Sequence, residues 1–250
     1  LPPFAREQLK ERYTGGDICI QACADDEQVA FHAVRNLIRK ARSTVTMKWS
    51  QSGFAAIGNR METPRNLFGF KDGTANATKE DQFNNIVWCD KDNWMKGGSY
   101  MAVRRIQMHL ETWDRTNLNE QEHTFGRYKD SGAPLGEKDE FATVDLEKKG
   151  PDGKLYIPED SHVHLAHKTG VELLRRSYSY ADGINDTTGQ FESGLLFIAF
   201  QKDPQQFITI QNSLGNEDKM NEYITHIGSG LFACFGGVKE GEYIGQKLFE

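Results

Sequence analysis

The chain has 250 residues, 38% hydrophobic and 26% charged, with a formal net charge of -6. That length suits one large domain or two small ones, and the balance is that of an ordinary globular protein. No apolar run approaches the ~20 residues of a membrane helix, and a mildly acidic chain is poorly matched to general nucleic-acid binding, which relies on basic surface.

The first residue is Leu1, and no signal-like segment precedes Pro2 and Pro3, so the sequence is expected to begin inside a longer protein or after processing. Gly15-Gly16-Asp17 punctuates the chain, and residues 18–24 read as a short apolar strand. Asp25 and Asp26 are N-cap candidates for a helix running to about Ala41. Its Val29, Ala30, Ala33, Val34, Leu37 and Ile38 recur at helical spacing. Residues 44–53 alternate as a strand, which makes a β-α-β unit suited to half of a ferredoxin-like domain. The other half is expected upstream. Residues 51–80 are rich in Gly, Asn, Thr and Pro and read as a long loop, usually a functional or disordered kind of segment. Residues 100–113 predict a long strand with a bulge at Arg104-Arg105, 119–127 a short helix and 129–159 another loop. Strands are expected over 173–180 and 195–200, a helix over 204–214, a second helix near 217–225 and a last strand over 230–235. Strand, helix, strand, strand, helix, strand after Tyr100 indicates a second ferredoxin-like unit, and the fold class is α+β.

The four cysteines, Cys19, Cys23, Cys89 and Cys234, form no CxxC pair, and free thiols are their plain reading. Three of seven histidines crowd into Ser161-His162-Val163-His164-Leu165-Ala166-His167. In a strand, His162 and His164 would share a face and His167 would not. A metal site on the HxH pair, a single ligand histidine and three surface histidines all stay open on spacing alone. In Gly69-Phe70-Lys71-Asp72-Gly73-Thr74-Ala75-Asn76, Asp-Gly is either a tight turn or a carboxylate held by two glycine-permitted bends. Arg175 and Arg176, adjacent on a predicted strand, should point to opposite faces. One of them could then enter a cavity with an anionic partner, or both could be solvated on an edge.

Taken together and in order, these stretches resemble the dye-decolorising haem peroxidases. Residues 68–76 resemble that family's GxxDG signature, 161–166 its proximal-histidine segment and 173–180 its arginine strand. Residues 97–116, 125–136, 194–201, 221–224 and 228–237 match as well, so the resemblance covers essentially the whole chain. It leans towards the Tat-exported deferrochelatase/peroxidase branch of bacterial iron uptake. The chain departs from that pattern in lacking roughly the first third of a complete member, in a short loop between His162 and Arg175, and in His164, which stands where an arginine is common.

The resemblance implies a pair of ferredoxin-like domains related to the dimeric α+β barrel, the first partial and the second complete. Residues 1–80 would be the remainder of the first domain plus the GxxDG loop, and 81–250 the haem-binding domain. It implies haem b, with His162 as the iron ligand and Asp72, Gly73, Thr74, Arg175 and Glu222 around the cofactor. Glu222 stands where an acidic partner of the ligand imidazole is expected, although a solvated helix carboxylate is its plain alternative. Asp72 would move a proton during peroxide cleavage and Arg175 would stabilise the developing negative charge. Tyr178, Tyr180, Trp88, Trp94 and Trp113 are either electron relays or core. The implied partners are hydrogen peroxide, haem or bulky aromatic donors, a membrane iron-permease system and further copies of the chain, in an extracytoplasmic location. Two alternatives remain: a haem- or iron-handling protein with incidental peroxidase activity, and a non-haem metalloprotein using His162 and His164.

Overall fold

The computed structural model describes residues 1–4, 6–55 and 62–250. Among them five strands form one antiparallel sheet: β1 (Ser99–Met108), β2 (Leu174–Arg175), β3 (Tyr178–Ile184), β4 (Phe191–Gln201) and β5 (Ile224–Cys234). The order is β2-β4-β1-β5, with β3 also pairing β4. The first strand thus lies between the last two, as in a ferredoxin-like α+β unit. A register shift between Arg105 and Ile106 places the expected bulge one step along β1.

Side chains alternate between the two faces of the sheet. Ala102, Leu173 and Ala199 pack with Phe207 on one face, while Met101, Val103 and Ile198 pack with Trp49, Tyr178 and Phe232 on the other. Phe207 belongs to α6 (Pro204–Leu214), which starts where the sequence predicts because Asp203 and Gln206 form a capping box around Pro204. On the same side, α5 (His162–His167) lies against α6, and α4 (Leu118–Phe125) lies against α5. The α1 helix (Glu27–Ala41) also forms as expected, capped by Asp26, which accepts from Gln28 N at 2.7 Å.

Several expectations are corrected. Residues 18–24 and 44–53 are not strands, since a strand needs a hydrogen-bonded neighbour and only isolated bridges such as Phe54 to Ser179 form. The long strand from Tyr100 stops at Met108, and Leu110–Trp113 turns into a short helix, α3, that buries Trp113. The strand over 173–180 is broken at Arg176-Ser177. The helix expected near 217–225 shrinks to a 3-10 turn, Lys219–Glu222, because β5 begins at Ile224 and pairs along all of β1. Long-range pairing overrides the local reading there. Residues 161–167, treated as a strand when their histidines were compared, are a capped helix.

Arg104 and Arg105 are both buried, on opposite faces of β1. Arg104 donates to Pro2 O at 3.0 Å and pairs with Glu7 at 3.2 Å, and also bonds Gln211 of α6. Arg105 pairs with Asp182 at 2.6 Å, donates to Gln51 at 2.7 Å and lies 4.1 Å from the ring centres of both Tyr13 and Tyr180.

Candidate active site

The Asp-Gly motif sits on a small hairpin bridged between Arg65 and Lys71. Asn66 N donates to Phe70 O at 2.9 Å, and Asn66 Oδ1 accepts from Phe68 N at 3.0 Å. Gly69 makes the turn at φ 82°, a conformation that disfavours any side chain. Phe68 and Phe70 thereby enter the core, stacking near Trp113 and Phe125 at 4.5 and 3.9 Å. Trp113 Nε1 donates to Phe68 O at 3.1 Å, so Trp113 is a core residue. Asp72 emerges two residues after the anchored Phe70, with its own N–H donating to Pro64 O at 2.8 Å. It lines an open cavity of about 460 Å³ with Gly73, Thr74, Asn76, Arg175 and Arg176. That is the size of a cofactor or small-molecule site.

Arg175 reaches this cavity because of strand alternation. Leu174 turns to Phe83, Ile86 and Val87 beside α2 (Glu80–Ile86), so Arg175 turns to the helical face. Asn76 fixes its backbone: Nδ2 donates to Arg175 O at 2.8 Å and Oδ1 accepts from Arg175 N at 3.0 Å. Arg175 Nη1 then lies 3.3 Å from Asp72 Oδ1. Both side chains are partly solvated, so the pair sets geometry more than stability. Arg176 lines the same cavity, since the strand breaks at that residue and the opposite-face rule lapses.

His162 opens α5, behind Ser161 as N-cap. Its Nδ1 lies 2.7 Å from Asp218 Oδ2. A carboxylate only accepts, so Nδ1 carries the proton, and in the neutral imidazole Nε2 keeps a lone pair. Asp218 is 3% exposed against 34% for His162, and its other oxygen accepts from Met220 N at 2.9 Å. Burial disfavours the imidazolium, but the charge and hydrogen bond of Asp218 outweigh it and raise the His162 pKa above the ordinary histidine value. The charges of Arg175 and Asp72 act on His162 in opposite senses.

The acceptor on His162 is Asp218, not Glu222, which is exposed four residues later. Asp218 falls inside the helix expected near 217–225, and nothing in the sequence singled it out. His164 does not share a face with His162, because two residues along a helix is ~200° of rotation. Its Nδ1 is buried without a partner among the described residues. His167 is exposed, and no group of three or more His, Cys, Asp or Glu among the described residues could hold a metal ion. The HxH metal site therefore lacks its geometry. Trp88 and Trp94 lie at the surface, and Tyr180 is buried with its hydroxyl on Ile106 O at 3.1 Å.

Comparison with known proteins gives concordant matches. Residues 1–55 match the family model described as Dyp-type peroxidase, N-terminal, and residues 63–239 the model described as Dyp-type peroxidase, C-terminal. The chain is 39% identical over 264 residues to a deferrochelatase of Yersinia pseudotuberculosis, covering 99% of this chain and 60% of that protein. It is 41% identical over 265 residues to a dye-decolorizing peroxidase of Thermobifida fusca, covering 100% of this chain and 61% of that protein. The structure of an oxyferrous complex of DtpA from Streptomyces lividans superimposes with a TM-score of 0.92 at 37% identity, covering 100% of this chain and 71% of that one. The chain spans about three fifths of the length of the curated relatives it matches.

Proposed function

The chain belongs to the Dyp-type peroxidase family, and on that premise we propose that it is the haem-holding part of a peroxidase that reduces hydrogen peroxide and oxidises bulky aromatic donors. The observation that carries the reading is the presence of two prepared groups in one chain. One is His162, its Nδ1 occupied by the buried Asp218 carboxylate, and the other is the Asp72–Arg175 pair on the cavity wall.

The residues present fit haem b. A single imidazole with a free Nε2 is the donor set of a one-ligand haem, and the Nδ1 partner raises its basicity. The orphaned Nδ1 of His164 is a buried polar atom, which as an N–H donor would be satisfied by a propionate. Gly73 and Thr74, beside Asp72 on the cavity wall, would border the cofactor. Haem, when bound, supplies the redox-active iron at which peroxide is reduced. Asp218 holds the proton on Nδ1 and so aims Nε2. Asp72 takes a proton from one peroxide oxygen and delivers it to the other, which leaves as water. Arg175 steadies the charge that builds on that oxygen and holds the Asp72 carboxylate in place.

Relatives named deferrochelatase support a second reading, in which iron is taken from haem for uptake. An extracytoplasmic location, a permease partner and a homo-oligomeric state belong to that same proposal and rest on the family resemblance. The test is titration with haem, followed by peroxide and a dye, or by an iron chelator without peroxide. One-to-one haem binding lost in His162→Ala and kept in His167→Ala, with dye turnover, is the expected result. Equal loss in both variants would overturn the ligand assignment. Chelatable iron with intact porphyrin and no dye turnover would favour the second reading.

A further inference from the structure

Glu140 lies in the long loop that sequence patterning leaves without a role, yet its carboxylate meets both flanks of the Asp72-Gly73 bend. One oxygen forms an ion pair with Lys71 Nζ, and the other accepts from Thr74 Oγ1 at 2.8 Å. The residue immediately before Asp72 and the residue immediately after Gly73 are thus tied to one planar group. Gly73 sits at φ 114°, where the chain has no steric preference of its own to hold the bend. Glu140 is itself held. Arg127, buried, donates through Nη1 to Gly132 O at 2.7 Å and to Glu140 O at 3.1 Å. The Lys71 stem runs against Gly132, where an added Cβ would come within 2.7 Å of Lys71 Cδ. Burial favours the neutral Glu140 acid, but hydrogen bonds from Lys71, Thr63 and Thr74 outweigh it and hold the carboxyl below its usual range.

We propose that Glu140 is a positioning residue: it staples the Asp72-Gly73 bend from outside and so fixes the Asp72 carboxylate against Arg175. Asn76 performs the complementary task on the Arg175 backbone, so the two partners are located by separate devices. The proposal rests on the peroxidase reading for its consequence, since a displacement of about 1 Å at a reacting group can cost about 100-fold in rate.

The experiment has two arms on the whole chain. Amide hydrogen exchange of the haem-free protein compares the parent with Glu140→Gln, which keeps an acceptor for Thr74 but loses the Lys71 charge, and with Thr74→Val. Faster exchange confined to residues 69–76 is expected, and unchanged exchange in both variants would overturn the staple. The second arm measures peroxide kcat/KM at matched haem occupancy for Glu140→Gln, Asp72→Asn and the double variant. Glu140→Gln alone should lower it by about 10-fold to 100-fold. In the Asp72→Asn background the same change should do almost nothing, because it acts through Asp72. An equal loss in both backgrounds would show that Glu140 acts elsewhere and overturn the proposal. A parent without peroxide turnover would sink the peroxidase reading alone, and the exchange arm would then decide the staple by itself.

Discussion

At the scale of single residues, the site is built from two kinds of group. His162, Asp72 and Arg175 each stand within a short local motif, which is what singles them out in the sequence as candidates. Asp218 was not legible there, because its role depends on how a 3-10 turn before β5 lands beside α5, 56 positions away in sequence. Asn76 and Glu140 escaped for the same reason: each meets its partner across 66 or more positions. Asp218→Asn should lower the His162 pKa in the haem-free protein, since it removes the charge that opposes burial. A ring-proton NMR titration reads this, and an unmoved midpoint would refute the pairing. In the haem-bound protein the same variant should shift the iron reduction potential upward, while Glu222→Gln should leave it alone. Asp72→Asn should slow peroxide cleavage by ~10²–10⁴-fold, as for loss of a positioned proton carrier. Arg175→Leu should cost at least as much, because it loses both charge stabilisation and the contact that orients Asp72. Stopped-flow measurement at matched haem occupancy checks both, and a parent-like Arg175→Leu would point to Arg176 as the active guanidinium.

At the scale of elements, α1, α4 and α6 were read from the sequence, whereas α2, α3 and α5 were not. Helices α1, α4 and α6 carry their own caps in sequence, whereas the extent of β5 is fixed only by pairing along β1. The HxH stretch shows the cost of a wrong period, since a strand and a helix send His164 in different directions. One consequence for β5 concerns His226, which is buried and stacked on Phe4 at 4.2 Å. Burial, with the nearby charges of Arg104 and His162, pushes its pKa down to about 3. In the unfolded chain it titrates near the ordinary value of about 6.5. Between those two values the unfolded state binds the extra proton, so this contribution is fully present above about pH 6.5 and is lost as pH falls towards 3. The slope from this one group is at most about 1.4 kcal/mol per pH unit. Urea denaturation at pH 7 and pH 4.5 should show a smaller drop for His226→Gln than for the parent. An identical drop would mean that other groups carry the acid sensitivity.

At the scale of the whole chain, the sheet with helices α4 to α6 has a dense interior, and the described residues among the first 55 do not. Of the described residues in that stretch, Phe4 alone is buried, and α1 leaves Val29, Phe31 and Leu37 exposed. The sequence pattern anticipated a half-domain but could not show how it is fastened. Polar grips fasten it alongside Phe4 and Trp49: Arg104 holds Pro2 and Glu7 from one face of β1, and Arg105 holds Gln51 and Tyr13 from the other. In the language of chemical denaturation, the slope of a transition scales with the surface it exposes. Lifting away residues that bury little apolar area must therefore give a shallow early phase, followed by the steep collapse of the sheet. Guanidinium chloride, which presents the same cation that Arg104 and Arg105 use, should separate the two phases more widely than urea does.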